Sequence, residues 1–172
     1  AVNNGDLETA QKMVDEAASK SGYQEYYRAG DSEETGIKAW ASFSKEKETA
    51  EAYMDNPGFG GSTLRKIFAS PENILYADIR NSRGMQKLAD DIGYGDQDWM
   101  ADGWQYPWEE SSKVKQKIEE AGYDAVSYID DFPEGAETIV FTRNMDLSKV
   151  KSSSAITRDS NGNVIPLGKR FK

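Results

Sequence analysis

Apolar positions along the chain alternate between helical and strand periods. After the turn Asn4-Gly5-Asp6, with Asp6 as N-cap, Leu7, Ala10, Met13, Val14, Ala17 and Ala18 recur at spacings of three and four. This predicts a helix that Ser21-Gly22 stops, packed on the domain as a lid or brace. Tyr23 to Arg28 is aromatic and β-prone, predicting a first strand that ends at Ala29-Gly30, with an acidic loop, Asp31 to Gly36, beyond it. Ile37 to Ser44 predicts a second strand. Ser44 is placed to cap a helix running to Met54, with Ala50, Tyr53 and Met54 on its inner face. Asp55 to Gly61 breaks that helix as a loop.

Strand periods resume at Thr63–Phe68, Ile74–Ile79, Tyr123–Ile129 and Glu137–Phe141, with helical periods at Arg83–Ile92 and Glu109–Ala121. The acidic stretch Asp130 to Ala136 reads as a loop between two strands. Asp159-Ser160-Asn161-Gly162 is a turn signal flanked by Ala155-Ile156-Thr157 and Val164-Ile165, predicting a hairpin. Gly93 to Trp108 holds three of the four tryptophans but no clean period. It is expected to be an ordered, irregular excursion, its tryptophans forming either a secondary core or a partner surface. Helices around several short strands predict an α+β fold. A chain of 172 residues suits one domain, residues 1–172, with an N-terminal helix over 1–22 and a C-terminal hairpin over 155–166.

Composition narrows the chemistry. Hydrophobic residues at 37% can fill one core, so disorder is not expected despite 30% charged residues. No apolar run approaches the roughly 18–20 residues of a membrane span. No basic-then-apolar leader opens the chain, and because it starts at Ala1 the expectation is a domain whole or cut from something longer. There is no cysteine and no histidine, so thiolate, imidazole and the usual zinc chemistry have no residues to use. Catalysis would fall to carboxylates, Arg, Lys, Ser, Thr or Tyr. The net charge of −9 repels a phosphate backbone and argues against nucleic acid as a partner.

Three short pieces stand at strand ends or beside loops: Tyr27-Arg28-Ala29-Gly30, Ser42-Phe43-Ser44, and Glu137 opening Thr138-Ile139-Val140-Phe141. Each alone is most simply a surface charge, a strand decoration with a helix cap, or a solvated edge residue. In this order they resemble the ADP-ribosyltransferase superfamily, in the class marked by an arginine, a serine motif and a glutamate. Leu7 to Ala18 and the close from Ile156 through Asp159-Ser160-Asn161-Gly162-Asn163-Val164-Ile165-Pro166-Leu167 to Arg170-Phe171 resemble such domains in phage polyvalent proteins. The tryptophan-rich middle carries no resemblance.

The resemblance implies split, mostly antiparallel sheets around an NAD cleft, and a mono-ADP-ribosyltransferase that cleaves NAD and modifies a protein, such as a bacterial host protein. It implies a toxin-like effector acting as a monomer in the host cytoplasm, with NAD as co-substrate and no metal. Glu137 would steady the ribose cation, Arg28 would fork onto the pyrophosphate, and Ser42 would bond the nicotinamide ribose or hold Glu137. Ala29, Gly30, Phe43, Ser44 and Tyr53 would line the cofactor site, Ser44 doubling as support or helix cap. Phe132, Glu134 and Gly135 would meet the target, with Phe132 either a contact or a loop anchor. Gly135 stands where many members carry a Glu or Gln that positions the acceptor, and Glu134 is the nearest substitute. Transfer, simple NAD hydrolysis and a non-catalytic binding module on the same fold all remain open at this level.

Overall fold

The computed structural model describes residues 4–30, 37–54, 63–95, 97–130 and 135–172. Among these, seven strands form one sheet: β1 (Gln24–Gly30), β2 (Ser42–Ser44), β3 (Thr63–Ala69), β4 (Ile74–Ala77), β5 (Ala125–Asp130), β6 (Ala136–Phe141) and β7 (Val150–Ser152). Their order is β4-β5-β6-β2-β1-β3-β7. All neighbours are antiparallel except β4 and β5. That parallel pair needs a crossover, which the chain supplies through α3 (Ser82–Asp91), the tryptophan-rich excursion, α4 (Pro107–Glu110) and α5 (Ser112–Glu120). Helices α1 (Asn4–Lys20), α2 (Lys47–Met54) and α6 (Leu167–Arg170) complete the α+β architecture.

The sheet is continuous, but only just. Strands β1 and β3 pair over seven residues and β5 and β6 over six, whereas β1 meets β2 at the single pair Tyr27↔Ser44. Two half-sheets, β4-β5-β6-β2 and β1-β3-β7, are therefore stitched at one point. The split sheets implied by the resemblance are here one continuous, mostly antiparallel sheet of seven strands, narrowest at this Tyr27↔Ser44 seam.

Side chains alternate across the strands and fill two main cores. On one face Leu75, Val126, Tyr128 and Val140 pack against Met85 and Leu88 of α3 and Val114 and Ile118 of α5. Trp99 and Trp108 belong to this core and are fully buried, so these two tryptophans are core rather than a partner surface. On the opposite face lie Tyr26, Phe43, Ile67, Ile139 and Phe141, with edge-to-face ring contacts of Tyr26 and Phe43 on Phe141. A third cluster, Val14, Ala18, Tyr23, Phe68 and Phe171, binds α1 to the C-terminal segment, in keeping with the brace predicted for that helix.

Several predicted boundaries move for local reasons. Helix α1 starts at Asn4, ahead of Asp6, and ends where Gly22 turns left-handed at φ +82° and Tyr23 donates to the Ala18 carbonyl. The second strand keeps only its last three residues. Trp40 takes φ 67°, rare for a bulky residue, and Ala41 donates back to Lys38 in a turn. The helix predicted over 109–121 breaks at Ser111, whose backbone is extended, so Pro107 opens a separate single turn. Asp130 ends β5, buried, instead of opening a solvated loop. The C-terminal hairpin closes at Asp159–Gly162 but carries only one bridge, Arg158↔Val164.

Candidate functional site

Beyond Tyr27↔Ser44 the two half-sheets separate, and the gap is a cavity of about 60 Å³ lined by Tyr27, Arg28, Ala29, Ser42, Ser44, Ala50, Tyr53 and Thr138. Arg28, Ala29, Ser42, Ser44 and Tyr53, scattered over 26 positions, are thus brought together. The Arg28 guanidinium crosses the gap and donates through Nη1 to the Ser42 carbonyl at 2.9 Å. Helix α2 roofs the cavity with Ala50 and Tyr53. Thr138 is buried, and its hydroxyl has no hydrogen-bond partner among the described residues. A buried orphan hydroxyl costs about 1–3 kcal/mol unless a water or ligand meets it, so this wall suits a polar guest. The volume admits only about two waters, less than a whole dinucleotide needs. The donor set itself, a guanidinium with two serines and a threonine, suits phosphate and ribose oxygens.

Glu137 sits at the end of the β2–β6 ladder, one residue from Thr138. Strand alternation turns it to the opposite face, and it lines a separate depression of about 270 Å³ with Lys45, Tyr76, Asp78, Ser127 and Ile129. Its carboxylate meets the Lys45 ammonium at 3.2 Å and is 57% exposed. The backbone reinforces the pair, since the Lys45 N–H donates to the Glu137 carbonyl. The same alternation roots Arg28 on Glu137's face, in line with Tyr26, while Ser42 and Ser44 share the face of Thr138. The guanidinium and the serines therefore share one cavity and Glu137 lies beside it, on the far side of β6.

The other sequence candidates fall as follows. The Phe43 ring is fully buried in the core, T-shaped on Phe141, and turned away from the cavity. Gly30 is buried at the end of β1, paired with Thr63. Gly135 adopts φ +76° and donates its N–H to the Asp130 carbonyl. That left-handed turn favours glycine at this position. Phe132 and Glu134 lie outside the described residues.

Sequence reasoning missed the support of the cavity roof. Asp130, 3% exposed, accepts from the Tyr106 hydroxyl at 2.6 Å and from the Tyr53 hydroxyl at 3.4 Å. Burial first, then the Asp130 charge, pushes the Tyr53 phenol up to about 12. Burial and the hydrogen bond to Asp130 raise Tyr106 as well. Both phenols consequently remain donors at neutral pH. The buried end of a strand reading Ser127-Tyr128-Ile129-Asp130 was the available signal.

Among the described residues no group of three His, Cys, Asp or Glu side chains is placed to hold a metal ion, and no helix is long and apolar enough to cross a membrane. No protein-family model matches the chain, and no curated protein or solved structure is detectably similar to it.

Proposed function

We propose that the chain is a mono-ADP-ribosyltransferase that splits NAD at the nicotinamide–ribose bond and passes ADP-ribose to a protein. The observation that supports it most is the seam cavity, where Arg28, Ser42, Ser44, Tyr53 and the orphan Thr138 hydroxyl converge. Arg28 would grip the pyrophosphate with its planar fork, and the hydroxyls would bond ribose oxygens. The C1′–nitrogen bond then breaks, its electron pair leaving with nicotinamide. Positive charge builds on the ribose, and the Glu137 carboxylate stabilises it through a ribose hydroxyl. A nucleophile of the target attaches at C1′ and its proton passes to Glu137. Because Glu137 now faces Lys45, the ribose has to reach the end of β6, where the β2–β6 ladder stops. Placing this enzyme in a bacterial host, as part of a phage polyvalent protein, belongs to the same proposal.

A second reading is favoured by one observation. Gly135 offers no side chain to orient an acceptor, which favours water as the acceptor and an NAD glycohydrolase. One assay separates these: incubation with NAD and bacterial lysate, measuring free nicotinamide and label on protein. The proposal expects both signals, and expects both to vanish in Glu137→Gln. Nicotinamide without protein label selects the glycohydrolase. Neither signal from a folded sample rejects an enzyme and leaves a binding module.

A further inference from the structure

Resting on the reading above, we infer that Asp130 and Tyr106 are positioning residues for the dinucleotide site, acting through Tyr53. The Tyr53 ring lines the seam cavity, while its hydroxyl reaches out of α2 to the carboxylate that ends β5. The other oxygen of that carboxylate takes the Tyr106 hydroxyl in a short bond. Two phenols 53 residues apart in the chain thereby meet one buried carboxyl group.

This arrangement gives the tryptophan-rich excursion a purpose. Tyr106 is its last residue, held edge-to-face against Tyr128 and tilted on Trp108, which packs on Tyr128 in turn. Further back, Trp104 stacks on Trp99, and Trp99 is completely buried. A long irregular segment anchored in the main core is unusual in a small domain and tends to carry function. Here its rigid aromatic packing delivers one hydroxyl to Asp130. Among the described residues, Glu109 of α4 and Tyr128 of β5 also face this point. An anion buried among them would be replaced by an apolar residue if packing were its only task, because burying charge is costly. The same carboxylate sets the angle of the roof over the cavity in which NAD would lie.

The test is steady-state NAD cleavage by the full chain and by Tyr53→Phe, Asp130→Asn, their double variant, and Tyr106→Phe. Losing the anchor should raise KM for NAD about three- to fivefold in Tyr53→Phe and in Asp130→Asn, the worth of one long hydrogen bond, with kcat within about twofold. The double variant should be no worse than the worse single, since both cut the same link. Tyr106→Phe should give a smaller rise in KM, and it carries the test if Asp130→Asn fails to fold. The link itself has a readout that needs no NAD. With 13Cζ-labelled tyrosine, the Tyr53 phenol should titrate at lower pH in Asp130→Asn than in the wild type. Additive KM effects, an unchanged KM, or an unmoved Tyr53 titration would overturn the inference. No NAD cleavage by the wild type, with the titration shifted as expected, would instead overturn the underlying reading and the purpose given to the link.

Discussion

Among the glycines in the described residues, Gly84 is the one where an added Cβ meets the closest contact. It lies in the first turn of α3, where its N–H donates to the Asn81 side chain at 2.8 Å. That cap holds the helix start hard against the preceding loop. A Cβ at position 84 would stand 1.8 Å from the Asp78 carbonyl oxygen, about half the 3.4–4 Å of ordinary contact, and 2.8 Å from the carbonyl carbon. Asp78 cannot easily yield, because its carboxylate holds both the backbone N–H and the guanidinium of Arg80. Alanine gains about 1 kcal/mol in helix propensity over glycine. Overpacking usually costs about 1–3 kcal/mol, and a clash with pinned backbone exceeds that range. The net effect should be a loss of more than about 2 kcal/mol, lowering Tm by at least roughly 4–8 °C in a chain of this size. Thermal unfolding followed by circular dichroism checks it, with Gly168→Ala as control, because that helical glycine has nothing within 4 Å of its built Cβ. A Gly84→Ala protein melting at or above the wild-type temperature would refute the close approach.

Other consequences follow from single contacts. At Trp40, held at φ 67° with its indole N–H on Glu119, alanine should be more destabilising than glycine by about 1 kcal/mol, reversing the usual order; urea unfolding of both variants decides it. Arg170 is buried and donates to the carbonyls of Ser152, Ser154 and Ala155, so Arg170→Met should cost about 2–3 kcal/mol, visible as a Tm lower by roughly 5–10 °C. The Tyr26 phenol is pushed up to about 12, chiefly by burial. A group whose pKa is raised on folding contributes stability that is complete below its unfolded value and is lost as pH rises through the folded one. Stability should hold to about pH 10 and then fall by about 1.4 kcal/mol per pH unit from Tyr26, whereas a flat profile from pH 9 to 11.5 would contradict its burial.

Where periodicity ran long, the pattern alone located the elements. Leu7 to Ala18 lies within α1 and Arg83 to Ile92 matches α3 up to its C-cap, and Tyr23 to Arg28 and Tyr123 to Ile129 overlap β1 and β5. Failures came where a tertiary contact overrides local preference. The strand expected from Ile37 is cut short because Trp40 turns left-handed to give its amide to Phe141 and its indole to Glu119. Strand β7, Val150–Ser152, is three residues long and exists because β3 offers an edge, which no local period can announce. The site was legible in part. Arg28, Ser42, Ser44 and Tyr53 do meet, because β1 and β2 are neighbours and α2 follows directly. What spacing could not show is register, and Ser44↔Thr138 is what sends Glu137 to the other face of β6. Asp130 looked like one more solvated charge beside Asp131, since burial of a single carboxylate at a strand end leaves no mark on the sequence.

The proposed reaction requires one dinucleotide to engage both the seam and the end of β6. A crystal structure of Glu137→Gln with NAD tests this directly. It should place the pyrophosphate within about 3 Å of the Arg28 guanidinium and a hydroxyl of the nicotinamide ribose within hydrogen-bond reach of residue 137. NAD bound away from Arg28, or with its ribose on the far side of β6 from residue 137, would contradict it.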